Sequence, residues 1–455
     1  MNLIDGQRLL KEKKFNKALD IFLNLEKNNY SDERIFFYLG LIYFELNYFD
    51  KSISYYKKFL LKDPQSSSTL LNLAIVKQTI GDFDSAREIY LKLIKQNKKN
   101  IRAYYGLYSL DAKKFSKKYF EILLNIKKND KLNLYDLSII NFLLSKEKKK
   151  QKKIQKEIEY LNKFHTSIFN SNLNYNNSSQ FYYEKIIKKH FNKINFINKK
   201  SDYLINNNIE PIFIIGLPRS GSTVLESILT SSKEKIVSYG ECHVFNTSII
   251  DQISTEIYSK NFDQSKFNFE IDLEKINTAI IEKYSHHNSL KNNKNIKFID
   301  KSLENFFNIE IIYKNFPSAK FLHTFRKPLD AIISIYQSML PDLSWAHSIE
   351  NILIYMDTYN AVIKHFKEKY PSIILDVNLE DLTGETEKIS KKIFNFCGLT
   401  WDDEILNFYK REDLYSKTLS FTQIRSKVKK YDLQKYKPYY NLLHRFKDQY
   451  KWLNI

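Results

Sequence analysis

The chain has little glycine and little proline, 9 and 8 of 455 residues, and only two cysteines. Few breakers among many long side chains predict a helix-rich protein, because glycine and proline are the residues that end or kink helices. Cys242 and Cys397 are spaced as neither a disulfide framework nor a zinc knuckle, which points to a reducing compartment. Long apolar runs are missing as well: none approaches the ~18 residues that a membrane span needs. The opening MNLIDGQRLLKEKKFNKALDIF reads as an amphipathic helix with early charges, without the apolar centre of a signal peptide. The expectation is a soluble, cytoplasmic protein with no transmembrane segment.

What is present is enough to fold. Hydrophobic residues make up 43% of the chain and aromatic residues 15%, so burial can offset chain entropy. A length of 455 residues exceeds one ordinary core and predicts two or three domains. The formal charge of +20 is compatible with a nucleic acid, an anionic membrane surface or an anionic small substrate. The excess of Lys, Asn, Ile and Tyr runs through the whole sequence, however, as a nucleotide-composition bias would make it, and much of the Lys lies on solvated helix faces. No basic stretch carries the interleaved aromatics and glycines of an RNA-binding motif, so no nucleic-acid partner is expected.

The first region repeats. A step of 34 residues aligns Gly6, Gly40 and Ala74, then Phe15, Phe49 and Phe83, then Ala18, Ser52 and Ala86, then Phe22, Tyr56 and Tyr90. Small residues at fixed points let two helices approach closely, and the aromatics fill the groove beside them. Asn47-Tyr48-Phe49-Asp50 and Gly81-Asp82-Phe83-Asp84 supply turn chemistry. This period and pattern resemble the tetratricopeptide repeat. The match covers about residues 1–100 and decays around Ile101–Leu123, giving a first region of 1–123. Such repeats imply a helical solenoid whose surface could recruit a peptide or protein acceptor, or could equally hold two protomers together as a homodimer.

Residues 124–205 are expected to be a helical extension and linker. Lys146–Lys156 reads as a solvated helix face, the Asn- and Ser-rich Phe169–Ser179 as a loop, and Tyr182–Phe196 as a short amphipathic helix. From Glu210 the pattern changes. Short apolar runs at Ile212–Ile215, Ile296–Ile299, Ala319–Phe325 and Ile373–Val377 alternate with helical patterns at Val224–Ser231, Glu304–Asn315, Leu329–Leu340 and Ile349–Lys369. Continuous apolar strands between helices predict a parallel sheet covered on both faces. The fold class is therefore α joined to α/β: a repeat solenoid, then a P-loop-type α/β domain over 206–455. Ligands in such sheets bind at the carboxyl ends of the strands.

The first strand runs into Gly216-Leu217-Pro218-Arg219-Ser220-Gly221-Ser222-Thr223, which has the G-x-x-x-x-G-x-T spacing of a phosphate loop. Its glycines let successive N–H groups point at an anion, and the following helix adds its positive end. A nucleoside-triphosphate loop would carry Lys at 222, whereas here 222 is Ser and the cation lies inside the loop as Arg219. The run P-R-S-G-S-T after a hydrophobic strand resembles the 5′-phosphosulfate loop of sulfotransferases, which use 3′-phosphoadenylyl sulfate (PAPS) as donor. It is most similar to the tyrosylprotein sulfotransferases and to bacterial enzymes joining tetratricopeptide repeats to that domain.

The resemblance spans about residues 210–440. It implies donor contacts from Arg219, Ser220, Gly221, Ser222 and Thr223. Arg326, at a strand end, and Ser334, eight residues on, resemble the family's 3′-phosphate pair; Lys327 departs from the Asp or Asn usual after that Arg. Tyr239-Gly240-Glu241 matches the Gly-Glu that supplies the general base, with His243 as the alternative base. Phe298-Ile299-Asp300-Lys301 matches the family's Asp-Lys, whose lysine neutralises the bridging oxygen as the sulfuryl group leaves. Thr418-Leu419-Ser420-Phe421-Thr422-Gln423-Ile424-Arg425 resembles a segment folding over the nucleotide, so Ser420, Arg425 and, further on, Lys435 are implied as donor contacts; the proline that usually follows is absent. The implied chemistry is in-line sulfuryl transfer to an acceptor hydroxyl with Glu241, Lys301 and Arg219 as the catalytic set and no metal. A P-loop small-molecule kinase and an inactive repeat scaffold remain as alternatives. The acceptor, whether a peptide tyrosine, a sugar or a small molecule, is unreadable in Asn246–Asn295 and Pro341–Ile349, the loops expected to choose it.

Overall fold

The computed structural model describes residues 2–28, 30–197, 209–234, 236–284, 296–417 and 420–454. They form two compact units: Met1–Tyr160 with Arg411–Arg425, and Leu161–Lys410 with Ser426–Ile455. This two-part division differs from the three regions expected from sequence; the border at 205 lies outside the described residues. Among the described residues no helix is long and apolar enough to cross a membrane.

The first unit stacks successive helices: α1 (Leu3–Lys11), α2 (Phe15–Lys27), α3 (Arg34–Glu45), α4 (Phe49–Lys62), α5 (Ser67–Ile80), α6 (Phe83–Gln96), α7 (Ile101–Leu110), α8 (Lys117–Asn129) and α9 (Leu134–Lys150). The 34-residue columns are its packing code. Ala18, Ser52 and Ala86 are wholly buried, and Tyr56 lies so close on Gly40 that a Cβ there would stand 2.6 Å from the ring. Ser52 Oγ donates to the Gly40 carbonyl at 2.7 Å, closing the same helix pair. Left-handed Asn47 and Gly81 (φ 64° and 92°) end α3 and α5 where the turn chemistry predicted. Arg411–Arg425 is part of this unit. Tyr415 packs on Phe49 at 4.9 Å and Phe421 on Phe83 at 5.9 Å, while Lys417 Nζ donates to the Glu45 carbonyl.

The second unit holds a five-stranded sheet. Numbered with all strands in chain order, β1 is Asn195–Ile197, β2 Ile209–Gly216, β3 Val237–Ser238, β4 Glu270–Asp272, β5 Ile296–Asp300, β6 Lys320–Phe325 and β7 Ile374–Asn378. The sheet order is β3-β5-β2-β6-β7 and every pairing is parallel. On one face Ile212, Ile214, Leu322 and Val377 pack with Leu225 and Ile228 of the helix Ser222–Leu229. On the other, Phe213 stacks on Phe321 at 5.4 Å and meets Phe245 edge-on at 5.8 Å. Burial on both faces is why these strands read as unbroken apolar runs.

Two local readings need correction. Phe169–Ser179 is not a loop: one helix runs from Ile154 to Ser171 and another from Leu173 to Phe181. Tertiary hydrogen bonds outweigh the low helix propensity of Asn and Ser there. Asn176 is fully buried and donates to the Phe169 carbonyl, and Gln180 donates to the Ser344 carbonyl. Tyr182–Phe196 is helical only to His190, through a π-helical turn. Its end becomes β1, which pairs in parallel with β4 and buries Phe196.

Candidate active site

Because all five strands are parallel, their carboxyl ends share one edge, and the chemistry-bearing residues follow those ends. β3 leads to Glu241, β5 to Lys301, β2 to the glycine loop and β6 to Arg326. The register fixes neighbours: Ser238 lies opposite Ile299, and two residues on, the Lys301 amide donates to the Gly240 carbonyl at 2.9 Å. Gly216 lies opposite Thr324, which puts the loop beside Arg326.

The loop uses unusual backbone. Arg219 has φ 68° and Gly221 φ 86°, the first a conformation that non-glycine residues rarely adopt and that gathers at ligand sites. Gly216 has φ 134°, and a Cβ there would stand 2.1 Å from the Thr324 carbonyl oxygen. Gly221 is the N-cap of Ser222–Leu229 and offers no side-chain cap, so amides of the first turn have no partner within the helix. Ser220 Oγ is buried without a hydrogen-bond partner among the described residues. Ser222 and Thr223 are buried beside it.

Arg326 closes the other side. It is 6% exposed, donates Nη1–H to the Arg219 carbonyl at 3.0 Å and Nη2–H to the Tyr431 hydroxyl. Its Nε, also buried, has no partner among the described residues. Tyr431 and Tyr440 donate in turn to the two oxygens of wholly buried Asp330, at 2.7 and 2.6 Å. Tyr436 donates to Ser334 Oγ at 3.1 Å, under the guanidinium. Burial pushes the Tyr436 phenol up, yet Lys435, the Ser334 hydrogen bond and Arg326 together outweigh it and draw the phenol below its ordinary value. Arg326, Ser334 and Lys435 thus make a place that favours negative charge.

Between loop and β3 lies an ion cluster. Lys301 is 2% exposed, with Nζ 3.1 Å from Glu241 Oε1 and 3.3 Å from Glu226 Oε2. Burial works against the charged amine, but Glu226 and Glu241 overturn that and hold it well above the ordinary lysine value. Glu241 is the outward partner, its side chain 42% exposed, against 18% for Glu226. His243 begins the helix Val244–Ile257 with φ 52°, its amide donating to Ser302 Oγ.

The structure therefore brings together Arg219, Ser220, Gly221, Ser222 and Thr223 with Arg326, and Arg326 with Ser334 and Lys435; Glu241 meets Lys301. Ser420 and Arg425 belong to the first unit. The Arg425 guanidinium there donates to the carbonyls of Thr79, Leu414 and Phe421 and lies over Phe83. Thr418 and Leu419 lie outside the described residues. Sequence reasoning missed Glu226, Ser238, Asp330 and the trio Tyr431, Tyr436 and Tyr440. For Glu226 there was a signal, one helical turn beyond Ser222.

Residues 211–403 match the sulfotransferase family, and residues 33–65 and 67–100 match the tetratricopeptide repeat. An uncharacterized protein of Aquifex aeolicus (strain VF5) is 26% identical over 238 residues, which are 50% of this chain; the chain spans only 30% of that protein's length. Among solved structures, sulfotransferase STF1 of Mycobacterium tuberculosis H37Rv is 12% identical, covering 77% of this chain and 99% of its own, with a TM-score of 0.32. The sulfotransferase domain of the Synechococcus PCC 7002 olefin synthase is 19% identical, covering 50% and 92%, with a TM-score of 0.28. At that overlap the solved structures bear on neither substrate nor mechanism.

Proposed function

Starting from a chain that joins tetratricopeptide repeats to a sulfotransferase-family domain, we propose that it moves a sulfuryl group from PAPS to an acceptor hydroxyl. The observation that carries this is one sheet edge with the glycine loop and buried Arg326 on it and a carboxylate–lysine pair beside them. The residues fit the donor: buried Ser220 Oγ and Arg326 Nε have hydrogen-bonding capacity to spare, and the loop backbone is already bent for an anion. Arg219 and the amides from Ser220 to Thr223 hold the 5′-phosphosulfate. Arg326, Ser334 and Lys435 hold the 3′-phosphate, with Tyr431 and Tyr436 yielding the contacts they now make.

In the transfer Glu241 takes the acceptor's proton as the new O–S bond forms. The S–O bond to the 5′-phosphate breaks, and its electron pair stays on the bridging oxygen. Lys301 meets that charge, and adenosine 3′,5′-bisphosphate leaves. Ser222 in place of a triphosphate-reaching lysine weighs against a kinase. The repeats offer a surface for a protein or peptide acceptor.

The test is label transfer. Extracts are incubated with the protein and PAPS carrying radioactive sulfur, and labelled products are identified. Glu241→Gln should lower transfer by roughly 10²–10⁴-fold while binding adenosine 3′,5′-bisphosphate as the wild type does. Normal transfer by this variant would move the base elsewhere, His243 first.

A further inference from the structure

We propose that Glu226 is a positioning residue: it anchors Lys301 and the turn bearing Glu241 to the phosphate-loop helix, and keeps a fixed negative charge beside Lys301 while Glu241 is protonated. The inference rests on the sulfuryl-transfer reading above.

The geometry is a bracket. Glu226 stands on the helix Ser222–Leu229, which the glycine loop feeds. One carboxylate oxygen lies 3.3 Å from Lys301 Nζ, and the other accepts from Ser238 Oγ at 2.5 Å. Ser238 Oγ itself accepts the Gly240 amide at 3.1 Å, next to Glu241. One side chain thus ties together β3, β5 and the loop helix, the three elements whose ends must converge on the reacting atoms.

The charges explain why two carboxylates are needed. A buried ammonium is costly unless paired, and Lys301 has two acidic partners. Glu241, the outward one, loses its charge when it takes the acceptor's proton. At that moment Lys301 must still be positive, since it faces the departing oxygen. Glu226, turned inward, supplies a counter-charge that the reaction never consumes. Other ionisable groups near Lys301 among the described residues are Asp300 of β5 and Cys242 and His243 of the turn after β3. Asp300 is engaged by Cys242 Sγ and the Ser302 amide, and the His243 amide is held by Ser302 Oγ.

Glu226→Gln keeps the shape and removes the charge. Its kcat for label transfer from PAPS should fall about 10- to 100-fold, the size usual for a group that orients a reacting one. The alkaline limb of its kcat–pH profile should move to lower pH, because Lys301 then deprotonates more easily; a merely structural role would leave that limb in place. Binding of adenosine 3′,5′-bisphosphate, read by calorimetry, reports folding. If the Gln variant does not bind, Glu226→Asp carries the test: the charge remains but is drawn back, so kcat falls and the limb stays. Ser238→Ala, which cuts the ties to Glu226 and to Gly240 but leaves the Glu226–Lys301 pair, should lower kcat with the limb unmoved. Wild-type kcat and limb in a folded Glu226→Gln protein, or wild-type kcat in Glu226→Asp where that carries the test, would overturn the inference and leave sulfuryl transfer standing. No label transfer by the wild type to any acceptor would overturn that reading, and the inference with it.

Discussion

Gly216 and Arg326 show what a single residue can and cannot announce. A Cβ at Gly216 would strike the Thr324 carbonyl oxygen in a backbone region that L-residues rarely occupy, so Gly216→Ala should cost about 1–3 kcal/mol or more, read by denaturant unfolding. Arg326 uses separate N–H groups on the Arg219 carbonyl and the Tyr431 hydroxyl. Arg326→Lys preserves charge but not that fork, and calorimetry should find affinity for adenosine 3′,5′-bisphosphate reduced roughly 10- to 100-fold. The glycine loop was legible in the sequence because its chemistry is local: spacing alone placed Arg219 inside it and Gly221 at its end. The Tyr431–Asp330 hydrogen bond was not, since its partners are 101 residues apart. A motif offered Arg425 as a donor contact, while the structure engages its guanidinium with carbonyls of the repeat unit.

At the scale of elements, periodicity served best where burial was uniform. The helix Ile349–Lys369 has the bounds its pattern predicted, and the four short apolar runs became four parallel strands. It failed at Leu173–Phe181, where tertiary hydrogen bonds such as that of Asn176 outweigh the low helix propensity of Asn and Ser. The neighbouring helix Ile154–Ser171 docks through His165, whose Nε2–H donates to the Tyr336 carbonyl at 2.8 Å. Its Nδ1 then accepts from His347 Nδ1–H at 3.2 Å. Burial lowers the His347 pKa from 6.5 to about 4, because a charged ring is costly out of water. The unfolded chain takes up its proton near 6.5 and the folded chain only near 4. The contribution to stability is therefore complete above 6.5 and is lost as pH falls toward 4. Thermal unfolding between pH 7 and 4 should show His347→Gln losing less stability than the wild type; parallel losses would refute this.

At the scale of the whole molecule, both units were visible in sequence, one through its 34-residue columns and one through its strand–helix alternation. Their border was not, because Arg411–Arg425 returns to the repeat unit from far along the chain, and no local pattern encodes that. Tyr56→Ala empties the cleft beside Gly40, where the ring is 1% exposed, and should destabilise the first unit by about 3–5 kcal/mol in denaturant unfolding. If the donor is the anionic one proposed above, the formal charge of +20 should act on its encounter with the protein. Stopped-flow association of adenosine 3′,5′-bisphosphate should slow as ionic strength rises, because salt screens that attraction; a rate indifferent to salt would assign the charge no part in capture.

In the proposed function the edge of the sheet holds a nucleotide by its 3′-phosphate as well as its 5′ end. Calorimetric titration of the full chain with adenosine 3′,5′-bisphosphate and, separately, with ATP tests it directly. Tight binding of the bisphosphate and weak binding of ATP are expected. Equal or tighter binding of ATP would contradict that function.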